Sequence, residues 1–362
     1  MPRTGVANLP LHYGKAPPWL FQRMVKLGRA ITLAIVEDHG SNEMLSRLSD
    51  PYWFQSLGCV LGFDWHSSGV TTTVCGALKE GLKGLEHESG LYVAGGKGGT
   101  SRKTPAELEA IGQRLGMDTS QHIYASRMSA KVDSAALQDG YQLYHHNFFM
   151  TAGGSWAVVQ QGMNEATRYA RRYHWLGEKV SDFVCEPHAA IASQSRGETL
   201  NLVASESQQA RDTIAHLAGE EKPQVIIADL ERLKSLELPR HHHVALEEIN
   251  PKNLEKAFLS TYEHKPADFE SLLALQGVGP KSLRALSLVA EIVYGAPTSR
   301  RDPALYSFAH GGKDGHPYPV NKETYDYTIH FMNEALKRAR VGDRDRMDAL
   351  KRLSAFTSGQ RT

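Results

Sequence analysis

The chain has 362 residues, 41 % apolar and 22 % charged, which is the balance of a folded protein larger than one ordinary core and not of a disordered or fibrous one. Its 41 Lys and Arg against 40 Asp and Glu leave a formal charge of +1, so any polyanion has to be met by a local basic surface. Three cysteines, Cys59, Cys75 and Cys185, exclude a disulfide scaffold and predict a reduced, cytoplasmic setting. The start, MPRTGVANLPLHYG, lacks the order of an export signal, and no run approaches the about 20 apolar residues of a membrane span.

In chain order, Trp19 to Asp38 carries Leu20, Met24, Leu27, Ile31 and Ile35 at helical spacing and stops at Gly40. Val70 to Glu88 and Pro105 to Leu115 read as helices too, the second with Thr104 as cap and Pro105 in its first turn. Short strands are predicted at LYVAGG, at Trp156 to Gln160, at Phe183 to Cys185 and at Thr199 to Val203. After Ser205 the chain turns helical, RHHH at Arg240 to His243 reads as a linker, and Asn321 to Phe356 as a solvated helical tail. The expectation is an α/β (α+β) N-terminal domain over 1–204, a helical linker region over 205–244, and a mostly helical domain over 245–362.

The motif with the clearest mechanism is FESLLALQGVGPKSLRAL, Phe269 to Leu286. Gly277 and Gly279 flank the small hydrophobe Val278 between two helical stretches, the helix-hairpin-helix pattern. Glycine reaches backbone angles other residues resist and lets bare amides approach a phosphate, with Lys281, Ser282 and Arg284 as further donors. Such a grip reads no sequence, so non-specific DNA binding is expected.

Several polar constellations precede it. GFDWHSSG places Asp64 and His66 two apart, where they share an ion on a strand or simply make a capped turn. Arg127, Lys131, Asp133, Asp139, His145 and His146 crowd one segment, and Glu186 and His188 form a similar pair in CEPH. Lys97 lies in AGGKGGTSRK, whose glycines expose amides without the spacing of a nucleotide-hydrolysing loop. Arg171 and Arg172 stand beside aromatics in ARRYHW, and Lys313 sits in the glycine-rich FAHGGKDGHPYPV.

Long stretches, among them NLPLHYGKAPPWL, RLSDPYWFQSLGCVLGFDWHSSGVTT, GGKGGTSRKTP and GVGPKSLRALSLVAE, are similar to the prokaryotic family known as domain of unknown function 763. The resemblance runs through almost the whole chain. It implies a helix-hairpin-helix near the end and a DNA-processing role, but no defined activity. The hairpin by itself also resembles helix-hairpin-helix DNA glycosylases, which would make Lys281 a Schiff-base lysine and Asp302 its supporting carboxylate.

The expected function is therefore a DNA-binding, metal-dependent nuclease acting in DNA repair or processing. Its candidate catalytic set is Asp64, His66, Lys131, Asp133, Asp139, His145, His146, Glu186 and His188. Asp64, Asp133, Glu186 and His188 would hold a divalent metal, Mg²⁺ or Mn²⁺. Lys97, Arg127, Arg171, Arg172 and Lys313 would join the hairpin on DNA phosphates. The alternatives are a glycosylase-like lyase and a non-catalytic DNA-binding adaptor.

Overall fold

A computed structural model describes residues 16–62, 69–193, 196–234, 249–304 and 322–358. Four helices open it: α1 (Pro18–His39), α2 (Ser41–Ser49), α3 (Pro51–Val60) and α4 (Gly69–Leu82). In α1 the spacing of Met24, Leu27, Ile31 and Ile35 puts all four on the buried side. Pro51 takes the first turn of α3, and the Asp50 carboxylate accepts from the amides of Tyr52 and Trp53.

After a short helix, α5 (Glu86–Ser89), five strands form one antiparallel sheet in the order β1-β3-β4-β5-β6. These are β1 (Leu91–Lys97), β3 (Gln142–Thr151), β4 (Trp156–Met163), β5 (Ala170–Leu176) and β6 (Ala190–Ala192). Helices α6 (Thr104–Leu115) and α7 (Ser120–Lys131) lie between β1 and the two-residue β2 (Leu137–Gln138), which pairs with β7 (Leu200–Asn201). The remaining helices are α8 (Gln208–Glu220), α9 (Pro223–Lys234), α10 (Glu255–His264), α11 (Phe269–Ala274), α12 (Pro280–Ile292), α13 (Lys322–Arg338) and α14 (Asp343–Ser358).

The strand period of two sorts the core. Phe148, Val158 and Trp175 face a cluster completed by α6 to α12, whereas Phe149, Val159 and Leu176 face one completed by α1 to α4, α13 and α14. Helices thus cover both faces, and β5 is buried along its whole length. The N-terminal region mixes sheet and helix and the remainder is helical, as the residue pattern predicts. Among the described residues no helix is long and apolar enough to cross a membrane.

Three local expectations are corrected. Phe183 to Cys185 is a turn and not a strand, since the Asp182 carboxylate accepts from the Val184 amide and Glu186 bends away at φ +48°. Thr104 is the first residue of α6 and not its cap, its hydroxyl donating back to the Ser101 carbonyl (2.7 Å). The tail is not simply solvated: it breaks into α13 and α14 at Ala339 to Gly342, and Met332, Leu336, Ala349 and Leu353 are buried in the core. His241 to His243 lie outside the described residues.

Gly95 lets β1 reach β3. Its φ is +92°, and a Cβ there would stand 2.2 Å from the His146 carbonyl oxygen. A left-handed non-glycine residue costs about 1–2 kcal/mol before any clash. Gly95→Ala is expected to lower stability by at least about 2 kcal/mol, read from the urea unfolding midpoint.

Candidate functional site

Register aligns His146, Gln160 and Tyr173 across β3, β4 and β5, on the face beneath α7. A hydrogen-bonded chain starts there. The Gln160 amide nitrogen donates to Asp133 Oδ2 (2.5 Å) and to the Ser129 carbonyl (3.2 Å), which leaves Gln160 Oε1 as the acceptor from His146 Nδ1 (2.7 Å). The His146 proton is thereby fixed on Nδ1, so Nε2 accepts from the Ser126 hydroxyl at 2.9 Å. Burial holds the His146 pKa below its ordinary value, against the pull of Gln160 and Asp133.

Asp133 ends this chain. Its Oδ2 also accepts from Trp175 Nε1 (3.0 Å), and its Oδ1 lies 2.5 Å from His188 Nε2. Asp133 sits on unusual backbone, and His188 lies two residues after a left-handed one. Asp133 belongs to a π-helical turn, Val132–Ala136, that widens and underwinds the end of α7. His188 follows Glu186, whose left-handed backbone is held by its amide on the Val203 carbonyl (2.8 Å) and by the Ser205 amide on its carboxylate (3.2 Å). The Asp133 carboxylate is fully buried, and the His188 side chain keeps 8 % exposure.

Beside it, Arg171 carries a guanidinium into a site 1 % exposed. It donates to Asp139 Oδ2 (2.9 Å) and forks onto both oxygens of Asp302 (3.1 and 2.7 Å). Tyr173 and the Tyr141 amide complete Asp139 (2.7 and 3.1 Å), and the amides of Gly197 and Ala304 complete Asp302 (both 2.9 Å). Burial alone would lower the Arg171 pKa, yet Asp139, Tyr173 and Asp302 together raise it.

The opposite face carries its own polar set. Arg172 donates to His174 Nε2 (2.9 Å), to Gln55 Oε1 and to the Pro51 carbonyl, and lies over the Phe54 ring. It pins β5 to α3. Burial brings its pKa down to about 9. His145 is 1 % exposed with neither ring nitrogen hydrogen-bonded among the described residues, and burial pushes its pKa down to about 3. Lys97 is exposed over Tyr144, and Arg127 is exposed on α7.

The turn between α11 and α12 has a different character. Gly277 takes φ +90° and is exposed with Gln276, while Val278 is 5 % exposed beneath them. Lys131, at the end of α7, donates to the Leu275 and Val278 carbonyls at 2.8 Å each. A trans peptide points its N–H opposite its C=O, so the Gln276 amide faces away from Lys131. Gln138 donates to the Pro280 carbonyl (2.9 Å) and accepts from Arg284 (2.8 Å), while Ser282 Oγ caps the Gly279 amide (2.9 Å). Lys281 is exposed.

Of the residues singled out from sequence, Asp133, His146 and His188 share one network, and Asp139 and Arg171 adjoin it through Tyr173. Glu186 instead meets Arg301 and the Ser205 amide. Arg172 and His145 face the other way, and Asp64, His66 and Lys313 lie outside the described residues. Among the described residues no group of three or more His, Cys, Asp or Glu is placed to hold a metal ion. Ser126, Gln160, Tyr173 and Trp175 were not singled out; the one available signal was the polar pair Gln160-Gln161 inside an apolar run.

Removing Arg171 leaves two buried carboxylates without a countercharge. Arg171→Ala is expected to cost about 3–5 kcal/mol at neutral pH. Burial already raises the Asp139 pKa, and without Arg171 it rises further. Protonation of the folded state then restores stability below the unfolded carboxylate range and withdraws it as pH climbs, so the deficit shrinks in acid. Chemical denaturation of both proteins at neutral and acidic pH measures it.

Comparison with curated proteins finds no match, and none is found among solved structures. Residues 5–320 match the family model described as protein of unknown function, DUF763, and the chain belongs to that family.

Proposed function

We propose that the protein binds the DNA backbone without regard to sequence, through a helix-hairpin-helix formed by α11, the turn at residues 275–279 and α12. The observation that carries this reading is the two-sidedness of the turn. Val278 and the carbonyls of Leu275 and Val278 face the protein, where Lys131 holds them, while Gln276, Gly277 and Lys281 face water. A backbone turned this way offers amides and a cation to phosphate oxygens and offers nothing to base edges. The free thiols, two of them buried, suit a reducing cytoplasmic setting.

A second reading, metal-dependent phosphodiester hydrolysis, is favoured by the Asp133–His188 pair, whose carboxylate stands on a π-helical turn and whose imidazole follows the left-handed Glu186. In that reading His188, its ring oriented by the buried Asp133 carboxylate, would contribute a ligand to a divalent-ion site that DNA completes. The geometry favours the lyase alternative less, because both oxygens of Asp302 are committed to Arg171 and two backbone amides.

Fluorescence anisotropy with a labelled duplex in dilute salt tests the first reading. Wild-type protein is expected to bind unrelated sequences alike, with affinity falling as salt rises. Gly277→Glu should abolish binding, and Lys281→Gln should lower the salt slope by about one. A wild-type protein that ignores DNA in dilute salt overturns it. For the second reading, incubation with Mn²⁺ or Mg²⁺ should nick DNA, chelator should stop the reaction, and His188→Ala should abolish it without affecting binding.

A further inference from the structure

We infer that the outward face of α1 is a separate site for single-stranded nucleic acid, stacking a base on Trp19 and leading the strand past Arg23, Lys26 and Arg29. Trp19 is 60 % exposed, whereas Trp53 and Trp175 are fully buried. An indole left in water at the start of a helix forgoes the burial that aromatic side chains ordinarily contribute. The Arg23 guanidinium lies over its ring, 5.4 Å from the centroid.

The helix explains the placement. With Met24, Leu27 and Ile31 turned inward, Trp19, Arg23, Lys26 and Arg29 succeed one another at helical spacing along the opposite, exposed side. That stripe is about 15 Å long at the α-helical rise. No acid occurs in α1 before Glu37. Among the described residues none of these three cations enters an ion pair, so their charge is available to a ligand.

Two clefts follow the stripe. The smaller, about 360 Å³, is lined by Trp19, Gln22, Arg23 and Lys26. The larger, about 820 Å³, begins at the same Lys26 and runs past Arg29 to Arg340, with Glu37, Glu88 and Asp345 also on its walls. Lys26 lines both, so the aromatic plate and the second cleft adjoin at that residue.

That combination selects an unpaired strand. Every base presents a face for stacking, whereas a duplex keeps its bases stacked on each other, and the cations suit the backbone of either. An anionic bilayer calls for an apolar face beneath the cations, but outward of Trp19 the stripe offers Gln22 and Arg23. This site is distinct from the hairpin turn and does not depend on it.

The test titrates full-length protein into labelled oligothymidylate, into a duplex, and into vesicles of phosphatidylserine, following anisotropy and tryptophan emission. Oligothymidylate is expected to quench emission, and Trp19→Ala to weaken its binding about tenfold while leaving duplex binding unchanged. Trp19→Phe should retain most of the affinity. Replacing Arg23 and Lys26 together by Gln should flatten the single-strand salt slope by about 1.4. Gly277→Glu should spare these effects, which separates failure of this site from failure of the hairpin. Wild-type affinity for oligothymidylate in Trp19→Ala, or quenching by vesicles alone, overturns the inference; the exposure of Trp19 and a matching far-UV spectrum guard against misfolding.

Discussion

The five-stranded sheet has no wet face, and that constraint shapes the rest of the molecule. An antiparallel sheet usually leaves one side to water, where polar residues need no further account. Here both sides are roofed by helices, yet β5 still carries Arg171, Arg172, Tyr173 and His174 in succession. Each must find partners inside the protein, because a buried polar group without one costs about 1–3 kcal/mol and a buried charge far more. Arg171 and Tyr173 solve this on one face with Asp139 and Asp302; Arg172 and His174 solve it on the other with Gln55 and the Leu48 carbonyl.

The same roofing joins the hairpin turn to the sheet. Lys131 reaches the turn from the end of α7, and the next residues unwind into the π-helical turn that positions Asp133. Gln138, beyond that turn, meets Pro280 and Arg284. One short segment of chain therefore braces the surface proposed to touch DNA and supplies the carboxylate that orients the proposed metal ligand, His188. Neither function would sit on a separately hinged module.

Much of this was legible in the residues, and what was not has physical reasons. Local devices could be read directly: the spacing in α1, Pro105 in the first turn of α6, and the Gly277-Val278-Gly279 corner all depend on neighbours within a few positions. Strand β5 escaped because burial on both sides removes the alternation by which strands are recognised. Asp133, His146 and His188 stand out as titratable groups, but Gln160, which links two of them, shows only as half of a polar pair in an apolar run, and a side-chain amide points to no particular chemistry. Both arginines that read as phosphate ligands are buried, Arg171 as the countercharge of Asp139 and Asp302 and Arg172 among neutral acceptors. Reading Arg171 that way requires knowing that the chain returns to it at Asp302.

That return has a consequence for how the protein is made. Asp302 lies 131 positions beyond Arg171, so a ribosome finishes all five strands before the second carboxylate emerges. Until then the guanidinium has Asp139 alone, and its side of the sheet cannot close at full strength. The face that buries Arg171 therefore gains its second carboxylate only once residue 302 is made, and the opposite face, which α13 and α14 cover, is roofed later still.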